Sequence, residues 1–176
     1  MKRTVLKWEL IGIAVISVIG SGLHFAFELS GEWAPIGIIA AVNESIFEHL
    51  KLTFWPTVIY AAVTYKLLKN ATSNFIIAKT AGVYVMPAAI IVLFYAYTTI
   101  TGIENFIIDI IIFIVAVALG QFTSYQILTR KQLSQGLQWF SLAFGIILGL
   151  IYGLFTYYPP RVPFFLDPVS GTYGIP

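Results

Sequence analysis

The run FIIDIIIFIVAVALGQFTSYQILT, residues 106–129, carries one charged side chain, Asp109. It is longer than the roughly 20 residues a helix needs to cross the hydrocarbon core of a bilayer. Four comparable stretches flank it, at about 8–27, 45–69, 75–100 and 138–158. The 176 residues are 59% hydrophobic, 16% aromatic and 10% charged, with a mean hydropathy of +0.87. A soluble domain needs far more polar surface than that. The expected fold is therefore all-α: a polytopic membrane helical bundle with five transmembrane helices, forming a single transmembrane domain over 1–176. The net charge of +2 is too small to argue for nucleic acid. With no cysteine, disulfides and thiolate zinc sites are excluded, so any metal has to be held by His and carboxylates.

Each boundary has a local reason. The first span follows Met1, Lys2, Arg3 and Lys7 and reads as an uncleaved first helix, because further spans follow it. Residues 36–42 are apolar but too short to cross, which suggests a short re-entrant or interfacial helix before the second span. Ser45-Ile46-Phe47-Glu48 has the form of a capping box and predicts a helix start at Ser45, with Pro56 kinking the helix that follows. Lys and Arg fall between alternate spans, so the positive-inside rule puts the N-terminus in the cytoplasm and the C-terminus outside a cell membrane. Prolines bar a regular helix from residues 159–176, and the aromatic residues between them predict an ordered tail over the outer face.

That topology gathers the unexplained polar residues at one membrane face. Asn43 to Lys51 contributes Glu44, Glu48, His49 and Lys51, the first span ends with His24 and Glu28, and Glu104 and Asp109 flank the start of the fourth. Ionisable groups in a membrane segment are costly and mark functional sites by default. Candidate ligands for a divalent metal such as zinc are His24, Glu28, Glu48 and His49. Candidate acid, base or nucleophile-activating groups are Glu44, Glu48, His49 and Asp109. Arg161 and Asp167 of the tail are placed as a lid over this cluster. A purely structural reading competes at every position. His24 and Glu28 then form a helix end wetted by headgroups, Glu44, Glu48 and Lys51 an interfacial helix with its own salt bridge, and Asp109 a counter-charge for Lys51 or Arg161. Lys79 is expected to snorkel towards the inner surface. Gly145, Gly149 and Gly153 form a small-residue ladder suited to close helix approach, within the bundle or in a homo-oligomer.

The stretch Asn43-Glu44-Ser45-Ile46-Phe47-Glu48-His49-Leu50-Lys51-Leu52 with Phe54-Trp55-Pro56, and the tail Pro159-Pro160-Arg161-Val162-Pro163-Phe164-Phe165-Leu166-Asp167-Pro168, resemble the two signature stretches of a family of uncharacterised prokaryotic multi-pass membrane proteins. His24-Phe25-Ala26-Phe27-Glu28 is similar to that family's first-helix ending. The resemblance implies a shared site and brings no activity with it. Three functions stay open on the residues alone: a metal-assisted hydrolase or transferase acting on a lipid or lipid-linked substrate, a transporter for a cation or small solute, and a structural or assembly subunit.

Overall fold

A computed structural model describes residues 2–175. Five α-helices follow one another: α1 (Lys2–Leu29), α2 (Ile46–Leu68), α3 (Phe75–Thr101), α4 (Phe106–Leu128) and α5 (Gln135–Tyr157). A 3-10 turn at Ala34–Ile38 stands where the sequence suggests an extra helix, and a second lies at Pro163–Phe165 in the tail. The helix ends are set by local chemistry. Asn105 Oδ1 accepts from the backbone N–H groups of Ile107 and Ile108 at 2.9 and 3.2 Å, capping α4. Ser134 caps α5 in the same way, and Gly102, with φ of 71°, closes α3 in the left-handed conformation that glycine adopts without strain.

Four helices, α1, α3, α4 and α5, are long and apolar enough to cross a membrane. The fifth expected span, α2, is not among them, and its burial explains why. It lies against α1, α3 and α5 and buries Glu48, Lys51, Thr53, Thr57 and Thr64 among them. Its polar residues face protein, so its composition is not that of a lipid-facing helix, although its 23 residues equal the length of α4 and α5. The helix continues through Pro56, which has no N–H to give to the carbonyl of Leu52. That carbonyl points at α1, where Gly20 leaves room for it: a Cβ at Gly20 would lie 2.5 Å from Leu52 O. Gly20 and Pro56 together let α1 and α2 approach closely near the end that carries the polar cluster. Substituting Gly20 with Val is expected to destabilise the fold by about 1–3 kcal/mol through overpacking, read as a lowered denaturation midpoint.

At the same end an aromatic core forms from Phe47, Phe54, Tyr152 and Phe165, and the ring of Phe165 from the tail packs tilted against that of Phe47, 4.6 Å between centres. The tail is also tied down by Asn43, whose Nδ2 donates to Gly174 O at 2.8 Å. The small-residue ladder divides between environments: Gly149 abuts Phe54, Gly145 lies near Thr80, and nothing approaches Gly153 among the described residues.

Lys79 does not snorkel. It is buried and donates to both carboxylate oxygens of Glu9 at 2.6 and 2.8 Å, with the rings of Tyr60 and Phe75 within 6 Å of its nitrogen. Glu9 and Lys79 lie at similar depths along α1 and α3 from the same end of the bundle, where each neutralises a charge that hydrocarbon would not tolerate alone.

Candidate metal centre

Glu48 and Lys51 open α2, and their burial organises everything around them. Lys51 is fully enclosed and Glu48 is 1% exposed. All three ammonium hydrogens have acceptors: Gly37 O at 2.7 Å, Thr156 Oγ1 at 2.6 Å and Glu48 Oε2 at 2.5 Å. The Glu48 carboxylate also accepts from Val42 N at 3.0 Å and from the Thr156 hydroxyl at 3.0 Å. The knot thus ties the first 3-10 turn, the loop before α2 and the end of α5 to one another. It also removes Glu48 from the proposed ligand set. Only half of the expected capping box forms: Ser45 Oγ accepts from Glu48 N, while Ser45 N donates to Asn43 Oδ1 in place of the Glu48 side chain.

The loop held this way carries Glu44, and Glu44 meets two histidines. His24 arrives from the last turns of α1, one turn beyond Gly20, and His49 from the first turn of α2. The two Nε2 atoms are 3.1 Å apart, and Glu44 Oε2 lies 3.5 Å from the first and 3.4 Å from the second. His24, Glu44 and His49 thereby form a group whose ligand atoms could hold a metal ion. Tetrahedral zinc with bonds of about 2.0–2.1 Å sets its ligand atoms about 3.3–3.4 Å apart, close to this triangle. His49 Nδ1 lies 2.8 Å from Ser45 O. A carbonyl only accepts, so Nδ1 carries a proton; Nε2 faces His24 and Glu44, and it offers its lone pair to a metal when the ring gives up its second proton. A backbone carbonyl orienting an imidazole in this way is the usual outer partner of a metal-bound histidine. Glu44 is about half exposed, and its contacts with His24 and then His49 hold its carboxyl well below the usual carboxylate range, so it is an anion at neutral pH.

Of the residues singled out in the sequence, the structure joins His24, Glu44 and His49 and sends the others elsewhere. Glu28 is exposed at the end of α1, one turn beyond His24, and is not part of the triangle. Asp109 accepts from the Tyr97 hydroxyl at 2.6 Å, so it closes the α3–α4 turn and is neither a counter-charge for Lys51 or Arg161 nor part of the cluster. Asp167 is buried in the tail and accepts from Val169 N and Ser170 Oγ, shaping its own turn. Arg161 is exposed and forms no ion pair among the described residues. The tail reaches the cluster through Asn43 and Phe165, not through the charges of the expected lid. Glu9 is a further buried ionisable residue, and its sequence signal is a lone carboxylate in an apolar run at the depth of a lone Lys79, the pattern of an ion pair.

The chain is thus an all-helical protein with four helices long and apolar enough to cross a membrane and a His/carboxylate cluster at one end. The family model described as "Family of unknown function (DUF6512)" matches residues 1–175, and the chain belongs to that family. This agrees with the resemblance to an uncharacterised family. No curated protein and no solved structure matches the chain.

Proposed function

We propose that the chain is a membrane-embedded metalloprotein in which His24, Glu44 and His49 bind a divalent transition metal such as zinc, and that it hydrolyses or transfers an ester of a lipid or lipid-linked substrate. The observation that carries this reading is the ligand triangle with its oriented His49. His24, Glu44 and His49 would hold the metal, and the chemistry it would supply is activation of water as a nucleophile near neutral pH. Glu28, exposed one turn beyond His24 on the same helix face and in no ion pair among the described residues, is the candidate proton acceptor. The Phe25 ring lies 4.9 Å from that of His24, tilted against it, and is half exposed, and Leu29 and Trp33 follow it, exposed, on the same segment. Such an apolar border suits a substrate that approaches from the bilayer.

In this reading α2 is the fifth crossing, since its 23 residues span about 34 Å. The cluster then faces the outer side, because Lys and Arg concentrate at the opposite end. The test is elemental analysis of detergent-purified protein, followed by an assay of ester cleavage on vesicle-borne phospholipid. About one equivalent of transition metal, lost in His24→Ala together with the cleavage, is the expected result. A metal-free wild type that cannot be loaded sinks the proposal.

Solute transport is the second reading, favoured by the Glu9–Lys79 pair, which supplies buried ionisable groups in the half of the bundle far from the histidines. Ion-dependent uptake into proteoliposomes, lost in Glu9→Gln, checks it.

A further inference from the structure

The end of the bundle opposite the histidines holds a cavity of about 230 Å³. Lys2 at the start of α1, Lys69 just past α2 and Arg130 just past α4 line it, and no acidic side chain does. The charge distribution of the whole molecule sharpens this. Of the 10 Lys and Arg residues, all but Lys51 and Arg161 fall at this end, while the only acidic residue of this half, Glu9, is taken by Lys79. The other seven acidic residues lie towards the histidine end, from the 8 that the chain holds less Glu9.

The backbone of the walls is cross-linked by hydrogen bonds. Asn74, fully buried, donates from Nδ2 to Ile127 O at 3.1 Å and Lys131 O at 3.0 Å and accepts from Leu133 N at 2.9 Å. Thr72 Oγ1 donates to Leu128 O at 3.0 Å. The α2–α3 and α4–α5 connections are stapled together by these bonds. Beneath the basic rim the floor is apolar, formed by buried Val5 and Leu128. A cationic rim over an apolar floor, at the boundary of a hydrophobic bundle, matches a group that joins a phosphate to hydrocarbon.

We propose that this cleft binds a phosphate-bearing anion, with Lys2, Lys69 and Arg130 as its cationic contacts, and that an anionic phospholipid is the form in which the phosphate arrives. The site is separate from the histidine cluster and stands or falls without it. With the backbone of the walls already tied together, the ordering needed on binding falls on the three exposed basic side chains.

The experiment is native mass spectrometry of the full chain in detergent, titrated with phosphatidylglycerol or phosphatidylcholine, alongside calorimetric titration with inorganic phosphate. Wild type is expected to retain phosphatidylglycerol in preference to phosphatidylcholine, and Lys69→Gln and Arg130→Gln each to weaken that retention about five-fold. Lys66→Gln, a neighbouring basic residue outside the cleft, is expected to leave it unchanged, and Lys69→Arg to restore it. Phosphate binding that is weakened by the same two substitutions, without lipid preference, supports the site and assigns it to free phosphate. Equal weakening by Lys66→Gln shows a diffuse surface potential and overturns the proposal, as does equal retention of the two lipids with no binding of phosphate. Circular dichroism and the denaturation midpoint identify any variant that fails to fold, in which case Lys2→Gln takes its place beside the other cleft variant.

Discussion

Replacing Lys51 with Met is expected to lower the unfolding free energy by about 3–5 kcal/mol, because it leaves the Glu48 carboxylate enclosed without its cation. The side chains are fully buried, so water cannot move in to replace the lost partner without opening the junction of α2, α5 and the first 3-10 turn. The loss is also specific in place. Gly37 O and Thr156 Oγ1 lose their donor, and the 39–45 loop loses the anchor that Glu48 offers to Val42 N only while its geometry is fixed. The double substitution Glu48→Leu with Lys51→Met removes both charges and is expected to be markedly less damaging than Lys51→Met alone, since buried pairs often exchange for apolar residues at small cost. Titration with a denaturing detergent, followed by circular dichroism, provides the comparison. A single variant within about 1 kcal/mol of wild type, or a double variant worse than both singles, shows that the pair does not hold this end together.

The part of the fold that depends on apolar length was legible in the chain. The runs at 75–100 and 106–129 become α3 and α4 within a residue at either end, because their ends carry unambiguous signals: Gly102 and Asn105 sit where a helix must stop and start. The length of α2 and its Ser45 cap are visible in the sequence, whereas which of its faces packs on α1, α3 and α5 and which, with Val58, Ile59 and Val63, stays exposed is set by tertiary packing.

The site was legible as a neighbourhood and not as a set of bonds. Topology places His24, Glu44, Glu48 and His49 at one end, and helical geometry puts Glu44, Glu48 and Lys51 on a common face only if the helix begins before Glu44. It begins at Ile46, so Glu44 sits in a loop and is free to meet the histidines while Glu48 turns inward to Lys51. Two residues with the same side chain, four apart, thereby acquire opposite environments. That one is half exposed and the other 1% exposed follows from how the 39–45 loop is anchored by Glu48, Asn43 and Gly174, contacts between residues up to 131 apart. No local pattern carries that information.

The second large effect concerns the metal itself. Zinc added to metal-free protein at about 1,000 times its dissociation constant is expected to stabilise the fold by about 4 kcal/mol, since the three ligands converge only in the folded chain. His49→Ala and Glu44→Gln are each expected to abolish this gain while leaving the zinc-free stability close to wild type, as both side chains are partly exposed and neither belongs to the Glu48–Lys51 knot. Glu28→Gln and Asp109→Asn are expected to retain it, because the first lies outside the triangle and the second is engaged by Tyr97. Gly20→Val gives an independent check. It alters no ligand, yet a Cβ against Leu52 O forces α1 away from α2 and with it His24 from His49, so the gain should shrink with the ligands all present. Protons compete with the metal for the same lone pairs, which makes the gain fall on acidification for wild type and leaves it flat for His49→Ala. A gain that survives Glu44→Gln and disappears in Glu28→Gln would move the centre to the exposed end of α1 and remove the loop from the chemistry.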